Sequence, residues 1–352
     1  MIFELRPEEY PRIWPLIREL AEYNLFIKTV IEGSTPGRVL VDDATDPRTA
    51  YMDTPEGSFV AGDPGNTGFN SSLREETPYL IDLSVHPDSW EPKMGEIVRN
   101  KVVRRRLYRY YTFEERRIGD WKSRIPPGHE FRRVDAETFD RGLDNLDEVS
   151  HGIEKNWHST KDFLKSGFCF IIVHGDTIVS RCNSDCVSGD RCELGVWTAP
   201  AHRGRGLATL VTAGTVEYCL SRGLSRIGWH CIDTNIGSIR VAEKVGFRRT
   251  RDYYSFGTEL PAANASDLDR ETWRRLAEEY GASSEVDSIF RYRAAECWAL
   301  AGEPTRSIGI LNHLVDIGWL TNKLAYLLNS WPFEGLRGEK GWTELVRRLK
   351  NR

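Results

Sequence analysis

Short, alternating runs of apolar and polar residues characterise the first third of the chain. They predict an opening helix over 8–24 and then short strands separated by turn residues. Arginines and tyrosines are interleaved between Arg104 and Tyr111, as on a strand with one solvated face. Residues 1–125 are therefore expected to form an α+β segment that ends at the stiff sequence Pro126-Pro127-Gly128. Its other predicted elements are strands at 38–41, 50–52, 58–61 and 79–85 and a short helix at 94–98.

The middle of the chain, residues 129–260, carries a more regular alternation of strands and helices. This alternation predicts a sheet with helices packed against it. The predicted elements, in order, are a strand from 130, a helical pair over 136–165, strands at 168–173, 177–182 and 193–198, a helix, a strand at 227–233, a second helix that ends at Gly246, and a strand containing Tyr253 and Tyr254.

After residue 261 the pattern is helical throughout, and residues 266–352 are expected to form a helical tail. Apolar residues recur at helical spacing up to a break at Gly302, and a second apolar face follows up to Gly318. Two helices joined in this way resemble one tetratricopeptide repeat, which cannot cover its own apolar face. The tail is therefore expected to pack on the rest of the chain, to bind a protein partner or to self-associate. Four large side chains are predicted to cap it, in preference to forming an aromatic ligand cage: Trp331, Phe333, Leu336 and Trp342.

Composition and charge narrow the class of protein. With 352 residues, 40% of them hydrophobic and 28% charged, the chain is expected to be globular and to hold two or three domains. Its formal net charge of −4 argues against a protein that binds nucleic acid by bulk charge. No apolar run approaches ~18 residues, and the N-terminus lacks the cationic start of a signal peptide. We therefore expect no membrane contact and a cytoplasmic location.

The seven cysteines are odd in number and lack the spacing of a disulfide framework, which favours free thiols in a reducing compartment. Cys182, Cys186 and Cys192 are close in the sequence, but no Cys-x-x-Cys pair occurs and the segment has the pattern of a hairpin. We interpret them as small buried residues, with a metal site as the less favoured alternative.

A glycine-rich turn between a strand and a helix is the most informative feature. After the strand at 193–198 comes Arg203-Gly204-Arg205-Gly206-Leu207-Ala208, and a helix follows at once. A helix N-terminus presents unpaired backbone N–H groups, and its dipole favours negative charge. Small residues let that backbone approach a pyrophosphate closely. The spacing is neither the dinucleotide-binding fingerprint nor a P-loop.

The spacing Arg203-x-x-Gly206-x-Ala208 resembles the coenzyme A signature of the GNAT N-acetyltransferase superfamily. The resemblance implies an α+β fold, with a mixed sheet flanked by helices, and acetyl-CoA as co-substrate without a metal. It also implies that 1–125 is a degenerate copy in a tandem arrangement; an unrelated α+β cap is the alternative. The coenzyme residues implied are Val196, Trp197 and Thr198 for the pantetheine arm, and Arg203, Gly204, Arg205, Gly206, Leu207, Ala208 and Thr209 for the pyrophosphate. Asn235 would contact the coenzyme arm, act as a plain helix cap, or do both.

Acyl transfer to an amine needs a base for the ammonium and a proton for the leaving thiolate. Glu193 is the first candidate base and His230, on the neighbouring strand, is the second. The tyrosine that relatives often carry seven residues after the asparagine is Ala242 here. Tyr253 or Tyr254 would then replace it as the acid, and the alternative is that both only pack.

We therefore expect an acetyl-CoA-dependent N-acetyltransferase acting on a primary amine of a small molecule. The alternatives are a protein N-acetyltransferase and a non-catalytic acyl-CoA-binding module that recruits a partner through its helical tail. The domains expected are 1–125, 129–260 and 266–352.

Overall fold

A computed structural model describes residues 1–77, 82–99, 103–262, 265–321 and 323–351. The strands are β1 (Phe3–Glu4), β2 (Arg38–Val41), β3 (Thr49–Thr54), β4 (Gly57–Gly62), β5 (Leu83–His86), β6 (Arg104–Phe113), β7 (His129–Arg133), β8 (Cys169–His174), β9 (Thr177–Ser188), β10 (Arg191–Thr198), β11 (Arg226–Ile232) and β12 (Phe247–Gly257). The α-helices are α1 (Trp14–Ala21), α2 (Leu25–Ile31), α3 (Thr67–Glu76), α4 (Met94–Ile97), α5 (Ala136–Asp140), α6 (Leu146–Asn156), α7 (Thr160–Ser166), α8 (Leu207–Ser221), α9 (Ile236–Val245), α10 (Arg270–Ala282), α11 (Ser288–Leu300), α12 (Pro304–Asp316), α13 (Leu324–Asn329) and α14 (Lys340–Lys350).

The strands form one mixed sheet in the order β1-β2-β3-β4-β5-β12-β6-β11-β10-β9-β8-β7. The pairs β4–β5 and β10–β11 are parallel, whereas β9–β10 and β6–β11 are antiparallel. A mixed sheet with flanking helices is the α+β architecture that the sequence predicts. The tandem arrangement stays a prediction.

The chain folds into two compact units, neither of which is continuous in sequence. The first comprises Met1–Asn66, Leu83–Ser89 and Leu107–Ser255, and it holds nearly all of the sheet. The second comprises Thr67–Asp82, Trp90–Arg106 and Phe256–Arg352. The independence of the three predicted domains stays a prediction.

In the first unit, helices cover both faces of the sheet. Phe170 and Ile172 of β8 pack in the same apolar cluster as α8, whereas Cys169 and Ile171 pack in another cluster with α6 and α7. Since successive residues of a strand point to opposite faces, α8 lies on one face and α6 and α7 lie on the other. Apolar residues lie on most sides of α8, and much of its surface is buried.

Several predicted boundaries are wrong for identifiable reasons. The helix expected over 8–24 is a 3₁₀ turn at Pro7–Ile13 followed by α1, because Pro11 has no N–H to donate. The pair expected over 136–165 is three helices, broken near Asn145, which has a left-handed backbone. The strand expected at 79–85 is β5, and Tyr79 to Ile81 lie outside the described residues.

The helical character of the tail is confirmed, because the described residues after 265 form five α-helices, α10 to α14. Phe333, Leu336 and Trp342 are buried in its core and Trp331 packs against a neighbouring cluster, so this group packs as predicted. The likeness to a tetratricopeptide repeat stays a prediction. Within the described parts of the chain, no helix combines the length and the apolarity needed to cross a membrane.

Candidate active site

The strands β10 and β11 separate partway along their length. Their parallel register covers only Arg191 to Glu193, whereas β10 stays paired with β9 as far as Thr198. A bulge in the β9–β10 ladder lies at Glu193/Leu194, where separation begins. At Val196, Trp197 and Thr198, β10 is therefore no longer paired with β11. An extended chain can pair with this edge of β10.

The glycine-rich turn opens α8 in the manner required of an anion site. Gly204 and Gly206 have left-handed backbones, with φ of +75° and +79°, and a Cβ at either position would meet no atom within 4 Å. Gly206 is the N-cap of α8 and provides no side-chain cap. The first N–H groups of α8, including those of Leu207, Ala208 and Thr209, thus have no partner within the helix.

The two arginines of the turn differ in their contacts. Arg203 Nε donates to the Thr198 carbonyl at 3.1 Å, which ties the turn back to the end of β10. Arg205 is exposed. Burial of the His202 imidazole, and after it the nearby charge of Arg205, lowers the pKa of His202. The neighbourhood of the turn is therefore electropositive.

Asn235 caps α9, because its Oδ1 accepts the Ser238 N–H at 3.1 Å. The cap role is confirmed, and contact with the coenzyme stays a prediction. Ala242, where relatives often carry tyrosine, is fully buried in the core beside α8. A tyrosine would therefore need this core to be repacked.

Glu193 is buried, with 4% of its surface exposed. Its Oε1 accepts the Leu25 N–H at 2.8 Å, at the start of α2, and lies 3.2 Å from His230 Nε2. A Cβ at position 228 would lie 3.0 Å from the Glu193 side chain and 3.1 Å from that of Tyr110. Gly228 therefore provides the room in which the carboxylate meets the imidazole.

His230 links Glu193 to Tyr253. Its Nδ1 lies 3.0 Å from the Tyr253 hydroxyl, and its ring stacks on Tyr110 at 4.6 Å between centroids. With Glu193 ionised, Nε2 carries the proton that it donates to the carboxylate, and Nδ1 accepts the Tyr253 O–H. The three side chains thus form one hydrogen-bonded chain, which we call the relay.

The two candidate tyrosines have different surroundings. Tyr253 packs against Tyr23 at 4.9 Å and Tyr108 at 5.3 Å between ring centroids, whereas its neighbour Tyr254 is 43% exposed. Burial raises the pKa of Tyr23 and of Tyr110 to about 12, so both stay neutral. Of the two candidates, Tyr253 is the one that contacts His230 and is linked through it to Glu193.

Sequence reasoning missed Asp185, which lies on β9 among other polar residues. Its Oδ1 accepts from Asn183 Nδ2 at 2.8 Å and from Asn156 Nδ2 at 3.3 Å. Burial, and after it the charge of Glu56, raises the pKa of Asp185 to about 7. A carboxyl group with a raised pKa is a candidate for a functional role.

Comparison with known families gives the class of protein. A family model described as GNAT acetyltransferase matches residues 15–256, and the chain belongs to this family. Over 244 residues it is 27% identical to the uncharacterized N-acetyltransferase YdfB of Bacillus subtilis (strain 168), covering 65% of this chain and 88% of that protein. Its fold is similar to the crystal structure of a GCN5-related N-acetyltransferase-like protein from Streptococcus suis 89/1591, with a TM-score of 0.55, 24% identity, and coverage of 69% of this chain and 98% of the other.

Proposed function

We propose that this protein transfers an acetyl group from acetyl-CoA to a primary amine of a small molecule. The observation that carries the proposal is the relay Glu193–His230–Tyr253, which lies where β10 separates from β11. A carboxylate, an imidazole and a phenol in series can take a proton from one group and return it to another.

The residues present fit the coenzyme. The left-handed glycines leave open space beside the N-terminus of α8, which suits a pyrophosphate. The edge of β10 beyond Glu193 offers backbone groups to the pantetheine arm, and one of its N–H groups would polarise the thioester carbonyl. The coenzyme supplies the activated acetyl group.

The relay serves both halves of the reaction. An ammonium proton passes to the Tyr253 oxygen as the Tyr253 proton moves to His230 Nδ1, and Glu193 stabilises the imidazolium. The amine nitrogen then forms the C–N bond, and the C–S bond breaks. The relay returns its proton through Tyr253 to the thiolate, and the second proton that the nitrogen loses on becoming an amide passes to solvent. This assignment gives Glu193, His230 and Tyr253 separate roles in one path.

A non-catalytic acyl-CoA-binding module is the second candidate, because Ala242 replaces the frequent acid of the family. One assay separates the two: thiol release from acetyl-CoA with a panel of small primary amines, beside calorimetric titration of acetyl-CoA. We expect tight coenzyme binding and thiol release that depends on the amine. Coenzyme binding without release for any amine, peptide α-amines included, would favour the binding module. Release with peptides alone would favour a protein N-acetyltransferase.

A further inference from the structure

An open groove lies on one face of the helical tail, wholly within the second unit. Its volume is about 660 Å³, and its lining residues come from α11, from α12 and from the end of α10 and the turn after it. The lining surface is mostly apolar and includes Ala294 and Trp298 of α11 and Ile310 of α12. The groove can therefore take up apolar side chains.

The charged side chains that line the groove are all basic. Arg291, Arg306 and His313 line it, and no described aspartate or glutamate does. The Arg306 guanidinium lies over the Trp298 ring, 4.4 Å from its centroid, and Arg291 donates to His313 Nε2. Neither arginine forms an ion pair with any carboxylate that the structure describes. The groove thus presents guanidinium groups that a bound carboxylate can pair with.

The acidic residues that follow α11 and end α12 pair with arginines outside the groove. Glu303 accepts from Arg274 at 3.0 Å, and Asp316 pairs with Arg348. Residues 266–352 contain thirteen acidic and thirteen basic residues, so the basic lining is not a consequence of a basic tail. Positive charge is concentrated locally, at the groove.

We infer that this groove binds an acidic peptide segment of a protein partner, with carboxylates at Arg291 and Arg306 and aliphatic side chains on the apolar surface. Because the groove is open, it suits a segment of chain better than a small molecule, whose surface a binding site buries almost completely. A nucleic acid fits less well, because Arg306 covers a face of the Trp298 ring on which a base would stack. This inference does not depend on the proposed function, since it concerns residues of the second unit alone.

The test is fluorescence anisotropy of a short labelled peptide of glutamate and leucine, titrated with the whole chain. The comparison peptide carries glutamine in place of every glutamate. We expect the glutamate peptide to bind at least roughly tenfold more tightly at low ionic strength, the scale of one charge-assisted hydrogen bond. The difference should shrink as salt is added, because salt screens exposed charges.

Two variants locate the binding in the groove. Gly309 lies on α12, three residues after Arg306 and four before His313, so that Gly309→Glu adds a carboxylate spaced to pair with both. A Cβ at position 309 would meet no atom within 4 Å, so this change leaves the helix intact. Gly309→Glu and Arg306→Gln should each weaken binding of the glutamate peptide by roughly tenfold. Lys350→Gln is the matched control, because it removes an exposed cation of α14 that does not line the groove, and it should leave the affinity unchanged.

Circular dichroism establishes that each variant is folded. No binding of the glutamate peptide, equal binding of the two peptides, or binding that survives both Arg306→Gln and Gly309→Glu would overturn the inference. Displacement of the labelled peptide at lower concentration by a single-stranded oligonucleotide than by unlabelled peptide would assign the groove to nucleic acid. Dimerisation in analytical ultracentrifugation that Gly309→Glu abolishes would assign it to a second copy of the chain, and either result would also overturn the inference.

Discussion

Two sites border the strand β10, and they are built in opposite ways. The turn at its end is formed by consecutive residues from Arg203 to Ala208, is mostly exposed, and acts through backbone N–H groups. The face beside Glu193 is formed by side chains from distant segments and is largely buried. A site made of backbone groups needs open space in front of its N–H groups, whereas a site made of side chains depends on their mutual hydrogen bonds.

The largest expected effect lies on the side-chain site. Glu193→Gln keeps the shape of the residue but removes the charge that stabilises the imidazolium of His230. We expect turnover to fall by roughly 10²–10⁴, the usual scale for general acid–base catalysis, with little change in acetyl-CoA affinity. Steady-state thiol release and calorimetry measure the two effects. An unchanged rate and pH–rate profile would assign proton transfer to desolvation alone.

The contrast between the sites also decides what the sequence can predict. The turn was predictable because Gly204, Gly206 and Ala208 lie close together in the chain and their role depends on local backbone geometry. The relay was predictable only as separate candidates, since His230 is 37 residues from Glu193 and 23 from Tyr253 and no local pattern joins them. Asp185 was missed because a bulge in β9 turns it toward Gly195. The periodicity of apolar residues predicts strands and helices. Contacts between distant residues depend on how the strands are aligned, which the periodicity does not give.

The backbone site is tested by Gly206→Asp. Aspartate tolerates a left-handed backbone better than most residues, and it places bulk and negative charge where the pyrophosphate would bind. We expect the Kd for acetyl-CoA to rise by roughly tenfold to a hundredfold. Gly223→Asp is the matched control, because Gly223 has the same φ of +79° and the same open surroundings at the other end of α8. Equal losses in both variants would mean that strain, not ligand contact, causes the effect.

An effect of similar size distinguishes two adjacent tyrosines. Tyr253→Phe removes the hydroxyl bonded to His230, so turnover should fall by roughly tenfold to a hundredfold and an alkaline limb of the pH–rate profile should disappear. Tyr254→Phe alters the exposed neighbour and should leave both unchanged. The same response in both variants would show that neither tyrosine carries the proton.

The smallest effect concerns stability and comes from Asp185. Burial raises its pKa to about 7 in the folded protein, above the unfolded value near ~3.9. The folded state therefore binds this proton more tightly, so the stability it contributes is present below about pH 4 and is lost as the pH rises toward 7. Asp185→Asn should gain about 1–3 kcal/mol in free energy of unfolding relative to the wild type between pH 5 and pH 8, measured by denaturant unfolding. A difference that stays constant with pH, as expected for Asp190→Asn, would contradict this account.

The central claim is that Glu193, His230 and Tyr253 act as one unit, and a double-mutant cycle on turnover tests it most directly. Residues that act in series are strongly non-additive when they are removed together. The account predicts that Glu193→Gln combined with Tyr253→Phe lowers kcat no further than the more damaging single change. If the two losses multiply instead, the residues act independently, and the relay is not the path of the proton.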